Sequence, residues 1–299
     1  MTEPPRRPLA FRIWLAAARP KTLPVSISPV VVGTGLAWRD HHAYWPAAVA
    51  ALIGAMLIQI GTNFANDLFD YERGADAHDR QGPLRVRQAG WASTRQMQFA
   101  MMIVFAAAIL VGAYLATHAG WPIVAIGLAS IVAAILYTGG PYPFGYHGWG
   151  EIFVFIFFGP VAVVGTYYVQ SLTAGPAAWI AAMPMGALAA AVLVVNNRRD
   201  IETDRRTGKR TLAVRLGRRG SAWEYLALWL VAFVTPLAMY GTGRSGPGIL
   251  LPAIAALAGL PTVRRMFSFP EGSAANRLLA ATAALQAIYA LAFAIGVNL

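Results

Sequence analysis

Two acidic clusters are the residues of this sequence best suited to chemistry. The first runs from Asn63 through Asn66, Asp67 and Asp70 to Gly74 and Asp76. The second runs from Asn196 and Asn197 through Asp200 and Asp204 to Gly208, Lys209 and Arg210. The chain has only 13 Asp and Glu, and eight of them fall between residues 67 and 79 or 200 and 204. Carboxylates beside a bilayer are costly, so this concentration marks a candidate functional site. On a helix, residues three and four apart share a face. Asn63, Asn66, Asp67 and Asp70 therefore form one polar stripe, and Asp200 and Asp204 another. Mg²⁺ is usually held by one or two carboxylates together with substrate phosphates and waters. Two carboxylate sets facing a shared cavity would suit a pair of Mg²⁺ ions bridging a diphosphate. The plainer reading, solvated helix ends with each Asp paired to a nearby Arg, serves for any single Asp but poorly for both clusters together.

Basic residues stand beside the acids. Lys209 and Arg210 follow the second cluster, Arg85 and Arg87 follow the first, and Arg19 and Lys21 precede the first apolar stretch. Arg offers paired donors to phosphate and Lys a point charge, so both suit a diphosphate leaving group. Attraction to lipid headgroups explains others, such as Arg218, Arg219, Arg264 and Arg265.

The elements that must position these groups are membrane helices. The chain is 57% hydrophobic and 12% charged, far more apolar and less charged than soluble domains. Nine apolar stretches of about spanning length recur, near 23–38, 46–66, 97–117, 121–137, 151–170, 177–197, 222–241, 247–262 and 278–298. These predict an all-α polytopic bundle of nine transmembrane helices, with a short N-terminal segment (1–21) and a single intramembrane domain (22–299). Residues 1–10 read as a mobile polar tail, and the first helix as uncleaved.

The net charge of +11 does not indicate nucleic-acid binding, because of where it lies. Of 24 Lys and Arg, only Arg39 and Arg244 fall in alternate loops. The other 22 lie in the N-terminus and the loops at 67–96, 198–221 and 263–277, a positive-inside pattern. This predicts a cytoplasmic N-terminus, both acidic clusters on the cytoplasmic face, and the C-terminus outside. Cysteine is absent, which excludes disulfides and thiolate chemistry.

The connection from Tyr137 to Glu151 is rich in turn residues and aromatics. Aromatic faces can stabilise a forming cation, and they also populate the bilayer interface as a belt. Tyr146 and Trp149 fit the belt, whereas Tyr137 and Tyr142 suit either role. His147 could accept a proton, though a lone interfacial His is more often structural, and Glu151 reads as hydrogen-bonded inside the bundle. A faint repeat matches Asn66-x3-Asp70-x3-Gly74 to Asn196-x3-Asp200-x3-Asp204, a match that chance could also produce.

Asn66-Asp67-x-x-Asp70 and Asp200-x-x-x-Asp204, each after an apolar span, resemble the two motifs of the intramembrane aromatic prenyltransferases, the UbiA superfamily. Three longer stretches resemble its 1,4-dihydroxy-2-naphthoate polyprenyltransferase branch. They are Asn66 to Gln88 with Gly-Pro-x-Arg, Leu136 to Gly165 with Tyr-Thr-Gly-Gly-Pro-Tyr-Pro, and Asn196 to Gly217 with Gly-Lys-Arg-Thr-Leu-Ala-Val-Arg. The last position of the superfamily's first motif is Gly74 here, with Asp76 two residues on, as is typical of that branch. Arg87 stands where the branch usually carries a small polar residue.

The resemblance implies nine helices around a lipid-open cavity in the bacterial cell membrane, with polyprenyl diphosphate, 1,4-dihydroxy-2-naphthoate and membrane lipids as partners. Asn66, Asp67, Asp70, Asp76, Asp200 and Asp204 would hold Mg²⁺, with Asp67, Asp70, Asp200 and Asp204 central to catalysis. Arg85, Lys209 and Arg210, helped by Arg19 and Lys21, would contact the diphosphate. Asn63, Asn197, Tyr137 and Tyr142 would complete the substrate site. The expected product is demethylmenaquinone, with loss of carbon dioxide. Another acceptor such as 4-hydroxybenzoate is the nearest alternative. A transporter is the alternative from another class, disfavoured because the acids lie at one membrane face and not at its midplane.

Overall fold

In hydrocarbon every backbone N–H and C=O must be paired within its own segment, so apolar stretches of this length fold as helices. The computed structural model describes residues 8–75, 85–243, 245–268 and 270–299. Asp76, Gly82, Pro83 and the first seven residues of the expected mobile tail lie outside the described residues.

The helices are α1 (Ala10–Ala18), α2 (Leu23–Arg39), α3 (Trp45–Glu72), α4 (Thr94–Ala119), α5 (Trp121–Leu136), α6 (Gly150–Ser171), α7 (Pro176–Arg199), α8 (Ile201–Arg206), α9 (Leu212–Gly241), α10 (Pro247–Phe267) and α11 (Gly272–Gly296). Seven of them, α3, α4, α6, α7, α9, α10 and α11, are long and apolar enough to cross a membrane. The remaining two apolar stretches form α2 and α5, of 17 and 16 residues. All nine expected apolar segments are thus helical among the described residues. The chain is a multi-pass integral membrane protein.

The most buried helix is α7, which packs against α2, α6, α9 and α11. Small residues allow the approach: a Cβ on Gly186 of α7 would lie 2.5 Å from the Phe155 carbonyl oxygen of α6. Further along α6, residues Phe157–Val164 form a π-helical segment containing Pro160. Such widened turns are frequent at functional sites, and here Phe157, Phe158, Val161 and Ala162 wall a cavity. Peripheral α4 begins at a capping box in which Ser93 and Gln96 satisfy each other's backbone N–H.

Candidate active site

A cavity of about 500 Å³ lies among α2, α3, α4, α5, α6 and α7. Its long wall is apolar. Ile109 of α4 and Val124 and Leu128 of α5 line it and are also exposed, so the cavity opens sideways between these helices. Its other end is polar and joins a chamber of about 30 Å³. Asp70, Ala75, Arg85, Asn196, Asn197, Asp200, Thr203, Asp204 and Lys209 line the chamber. Both acidic clusters therefore share one site, at the ends of α3 and α7.

Asp70 is almost fully buried on the last turn of α3. Arg85 lies 2.5 Å from Asp70 Oδ2, Lys209 Nζ lies 4.0 Å from Oδ1, and the Tyr146 hydroxyl donates to Oδ1 at 2.7 Å. Arg85 also donates to the Asn66 carbonyl oxygen at 2.7 Å. Lys209 reaches the chamber because the chain reverses after α8. Gly208 takes φ +76°, which favours glycine, and Lys209 N–H donates to the Asp204 carbonyl oxygen at 2.8 Å.

Helix α7 stops at Arg199 and α8 starts at Ile201, leaving Asp200 between them. Arg199 grips Asp200 with two bonds of 2.8 and 2.6 Å. Its guanidinium is fixed in turn by Asn276 Oδ1 on α11 at 2.8 Å and Asn196 Oδ1 at 3.0 Å.

Amides around the site are polarised by their partners, since each has one acceptor oxygen and one donor nitrogen. Asn66 Oδ1 accepts from the Thr138 hydroxyl at 2.9 Å, so its –NH₂ remains for a ligand. Asn196 likewise gives its oxygen to Arg199. Asn63 and Asn197 are turned the other way. Asn63 donates to the Ala18 carbonyl oxygen and to Thr22 Oγ1, and Asn197 donates to Glu151 Oε1 at 2.7 Å.

Several of the predicted residues lie apart from the chamber or face it differently from the expected arrangement. Asp67 does not line either cavity. Its carboxylate accepts the backbone N–H groups of Val86 and Arg87 at 3.1 and 3.4 Å, so it anchors the segment that carries Arg85. The stripe on α3 is wide, because successive residues turn by about 100°, and Asp67 lies at its edge. Asn66 Oδ1 already accepts from Thr138, so the group that Asn66 leaves unbonded among the described residues is its –NH₂, a donor. Tyr142 is exposed and stacks on His147 with centroids 3.7 Å apart. Lys21 is exposed. Arg210 is exposed as well, and its backbone N–H donates to the Tyr146 carbonyl oxygen.

Tyr146 leaves the expected belt altogether. It is buried, its hydroxyl is on Asp70, and Lys209 and Arg73 stand over its ring at 5.0 and 5.5 Å. Burial, and then the Asp70 charge, push its phenol well above the ordinary range, so it remains a donor. Trp149 is exposed, as a belt residue would be.

The other predicted residues take clear positions. Arg19, Asn63 and Tyr137 line the large cavity. Burial, followed by the nearby Glu151, raises the Tyr137 phenol and keeps it neutral. Arg87 packs over Tyr71 at 4.1 Å and donates to Thr94. Glu151 is hydrogen-bonded inside the bundle, as expected. Thr203 lines the chamber without a signal in the sequence, whereas Asn196, which opens the second cluster and matches Asn66 in the faint repeat, takes the place there that its position suggests.

The donor chemistry fits a hard divalent cation. Among the described residues no three acidic or histidine side chains gather into a closed cage. The chamber is lined instead by residues that carry carboxylate, amide and hydroxyl oxygens, Asp70, Asp200, Asp204, Asn197 and Thr203. Each ionised carboxylate has about four lone-pair sites, so those gripping Arg85 or Arg199 retain acceptor capacity. Such an open set suits a cation that completes its shell with water and phosphate oxygens.

A profile of the UbiA prenyltransferase family matches residues 26–295. The chain belongs to this family. It is 46% identical over 225 residues to the 1,4-dihydroxy-2-naphthoate octaprenyltransferase of Mycobacterium tuberculosis, covering 75% of this chain and 77% of that one. It is 43% identical over 235 residues to the enzyme of that name from Escherichia coli, covering 76% and 75%. Among solved structures, it is similar to a UbiA homolog from Archaeoglobus fulgidus bound to DMAPP and Mg²⁺. That match has a TM-score of 0.70 at 16% identity, covering 95% of this chain and 98% of the other. The apo UbiA homolog from Aeropyrum pernix gives 0.71 at 15% identity, covering 93% and 98%. At these identities the structural matches speak for the fold, which is the UbiA fold.

Proposed function

We infer that this membrane protein transfers a polyprenyl group from polyprenyl diphosphate to 1,4-dihydroxy-2-naphthoate, releasing diphosphate and carbon dioxide. The product is demethylmenaquinone in its quinol form. One observation carries the reading. Both acidic clusters and the cations Arg85 and Lys209 converge on a single chamber at the closed end of a long, side-opening apolar cavity. An isoprenoid tail belongs in that cavity for the reason apolar surface leaves water. The relatives of 43–46% identity named for the same reaction support the choice of acceptor.

Asp70, Asp200 and Asp204, with Asn197 and Thr203, would hold Mg²⁺, as the donor set allows. When bound, Mg²⁺ supplies positive charge at the phosphate oxygens as the carbon–oxygen bond ionises. Arg85, Lys209 and the outward –NH₂ groups of Asn66 and Asn196 bind and orient the diphosphate. They favour ionisation because their charges and dipoles are already aimed where negative charge grows. The allylic carbon keeps the cation and the diphosphate leaves with the bonding pair. The electron-rich ring then forms the new carbon–carbon bond at the carbon bearing the carboxylate. The carboxyl carbon–carbon pair returns to the ring as carbon dioxide departs, so no external oxidant or base is required. Tyr137, neutral in the cavity wall, presents its ring to the forming cation. The charge pattern orients the site and N-terminus toward the cytoplasm and the C-terminus outward.

The test is a membrane assay with octaprenyl diphosphate, Mg²⁺ and an equimolar mixture of 1,4-dihydroxy-2-naphthoate and 4-hydroxybenzoate, read by mass spectrometry. The expected result is prenylated naphthoquinol alone, abolished by EDTA and restored by Mg²⁺. Product from 4-hydroxybenzoate alone would overturn the acceptor, and full turnover in EDTA would overturn the metal.

A further inference from the structure

Glu151 is a carboxylate buried beside the site that the reaction above does not use. It is 5% exposed at the start of α6, and its Oε1 accepts from Asn197 Nδ2 at 2.7 Å. Its Oε2 is buried with no hydrogen-bond partner among the described residues. Burying a carboxylate in this way is expensive, and its side-chain partner among the described residues, Asn197, lines both the large cavity and the acid-lined chamber.

A flip of the side-chain amide would be free if nothing held it, and each orientation presents opposite chemistry to the chamber. With Nδ2 committed to Glu151, Asn197 has its oxygen left for the chamber, and that oxygen takes no hydrogen bond from the described residues. Its sequence neighbour is fixed in the opposite sense, because Arg199 occupies Asn196 Oδ1. Two adjacent amides on one chamber thus present unlike groups, an acceptor from Asn197 and a donor from Asn196. Carboxylates behind ligands commonly orient them in this way, and their loss weakens metal affinity about 10–100-fold.

We propose that Glu151 is a positioning residue that locks Asn197 with its carbonyl oxygen toward the bound divalent cation, while Asn196 is locked as a donor to the diphosphate. The proposal rests on the metal-dependent reading given above. What matters at position 151 is an acceptor, not a charge. Glutamine therefore serves there and leucine does not.

The experiment uses the purified full chain in detergent and measures Mn²⁺ affinity by electron paramagnetic resonance, in the presence of inorganic diphosphate and without prenyl donor or acceptor. Glu151→Leu and Asn197→Ala are each expected to weaken Mn²⁺ binding about tenfold or more. Their combination should be no weaker than either alone, and Glu151→Gln should lie within about twofold of the unmodified chain. Unchanged affinity in Glu151→Leu, or an equal loss in Glu151→Gln, overturns the proposal. Should Glu151→Leu fail to fold, Glu151→Gln and Asn197→Ala decide. Near-native affinity in the first with a tenfold loss in the second supports the proposal, and any other pattern overturns it. Failure of the metal reading is distinguishable, because then the unmodified chain binds no Mn²⁺ and turns over in EDTA.

Discussion

At the end of α3 the helix runs unbroken through Asp70 to Glu72, whereas α7 stops at Arg199 and restarts at Ile201, leaving Asp200 at the break. The two ends share the spacing Asn-x3-Asp and are held by different means. Asp70 depends on distant parts of the chain: Arg85 after the first loop, Tyr146 from the α5–α6 connection and Lys209 beyond α8. Asp200 depends first on its own neighbour Arg199, which is braced by Asn196 and by Asn276 of α11. The first end is thus assembled by tertiary folding, and the second largely by local sequence. Similar motifs need not share a support.

The comparison breaks most sharply at the two aspartates. Asp70→Ala and Asp200→Ala should each lower turnover by about 10²–10³-fold or more, since both remove charge from the reacting end. Their stabilities should differ. Asp70→Ala removes the buried acid that Arg85, Lys209 and Tyr146 all meet and should cost about 3–5 kcal/mol. Asp200→Ala leaves Arg199 two amide acceptors and should cost about 1–3 kcal/mol. Unfolding midpoints of the solubilised chain check the order, and equal losses would mean that the two ends are held alike.

A finer cut is Tyr146→Phe, which retains the ring under Lys209 and deletes the hydroxyl on Asp70. A hydrogen bond to a charged group contributes about 1.5–3 kcal/mol, so turnover should fall roughly tenfold or more while Asp200 is undisturbed. An unchanged rate would return Tyr146 to the membrane belt.

The smallest effect is expected at Asp67→Asn. The amide retains one acceptor oxygen for the Val86 or Arg87 N–H, so stability should drop by only about 1 kcal/mol and turnover by a few-fold. A collapse as deep as that of Asp70→Ala would restore Asp67 to the metal site.

Much of this was legible in the residues. The apolar stretches predicted every long helix but not its polar ends: α3 extends to Glu72 and carries its acids inside the helix, and α9 begins at Leu212, ten residues before its apolar stretch, with a break at Gly217. The paired clusters and their flanking Arg85 and Lys209 were also readable, because carboxylates in so apolar a chain have few other reasons to exist. Less was readable about neighbours. Asp67 and Asp70 look equivalent in sequence, and only the position of the 85–87 segment separates them. Tyr146 and Trp149 both look like belt aromatics, yet a turn at Phe144–Tyr146 folds one inward and leaves the other exposed.

The sequence by itself determined the membrane class, the helical spans, the family motifs and which ends of the helices carry charge. These depend on local pattern and on the cost of placing polar groups in lipid, which act on each segment separately. The tertiary structure alone decided which oxygen of each carboxylate and amide faces the chamber. Asp70 meets Tyr146 across 76 residues and Asn66 meets Thr138 across 72, and a side chain's free valence is whatever such distant partners leave unused.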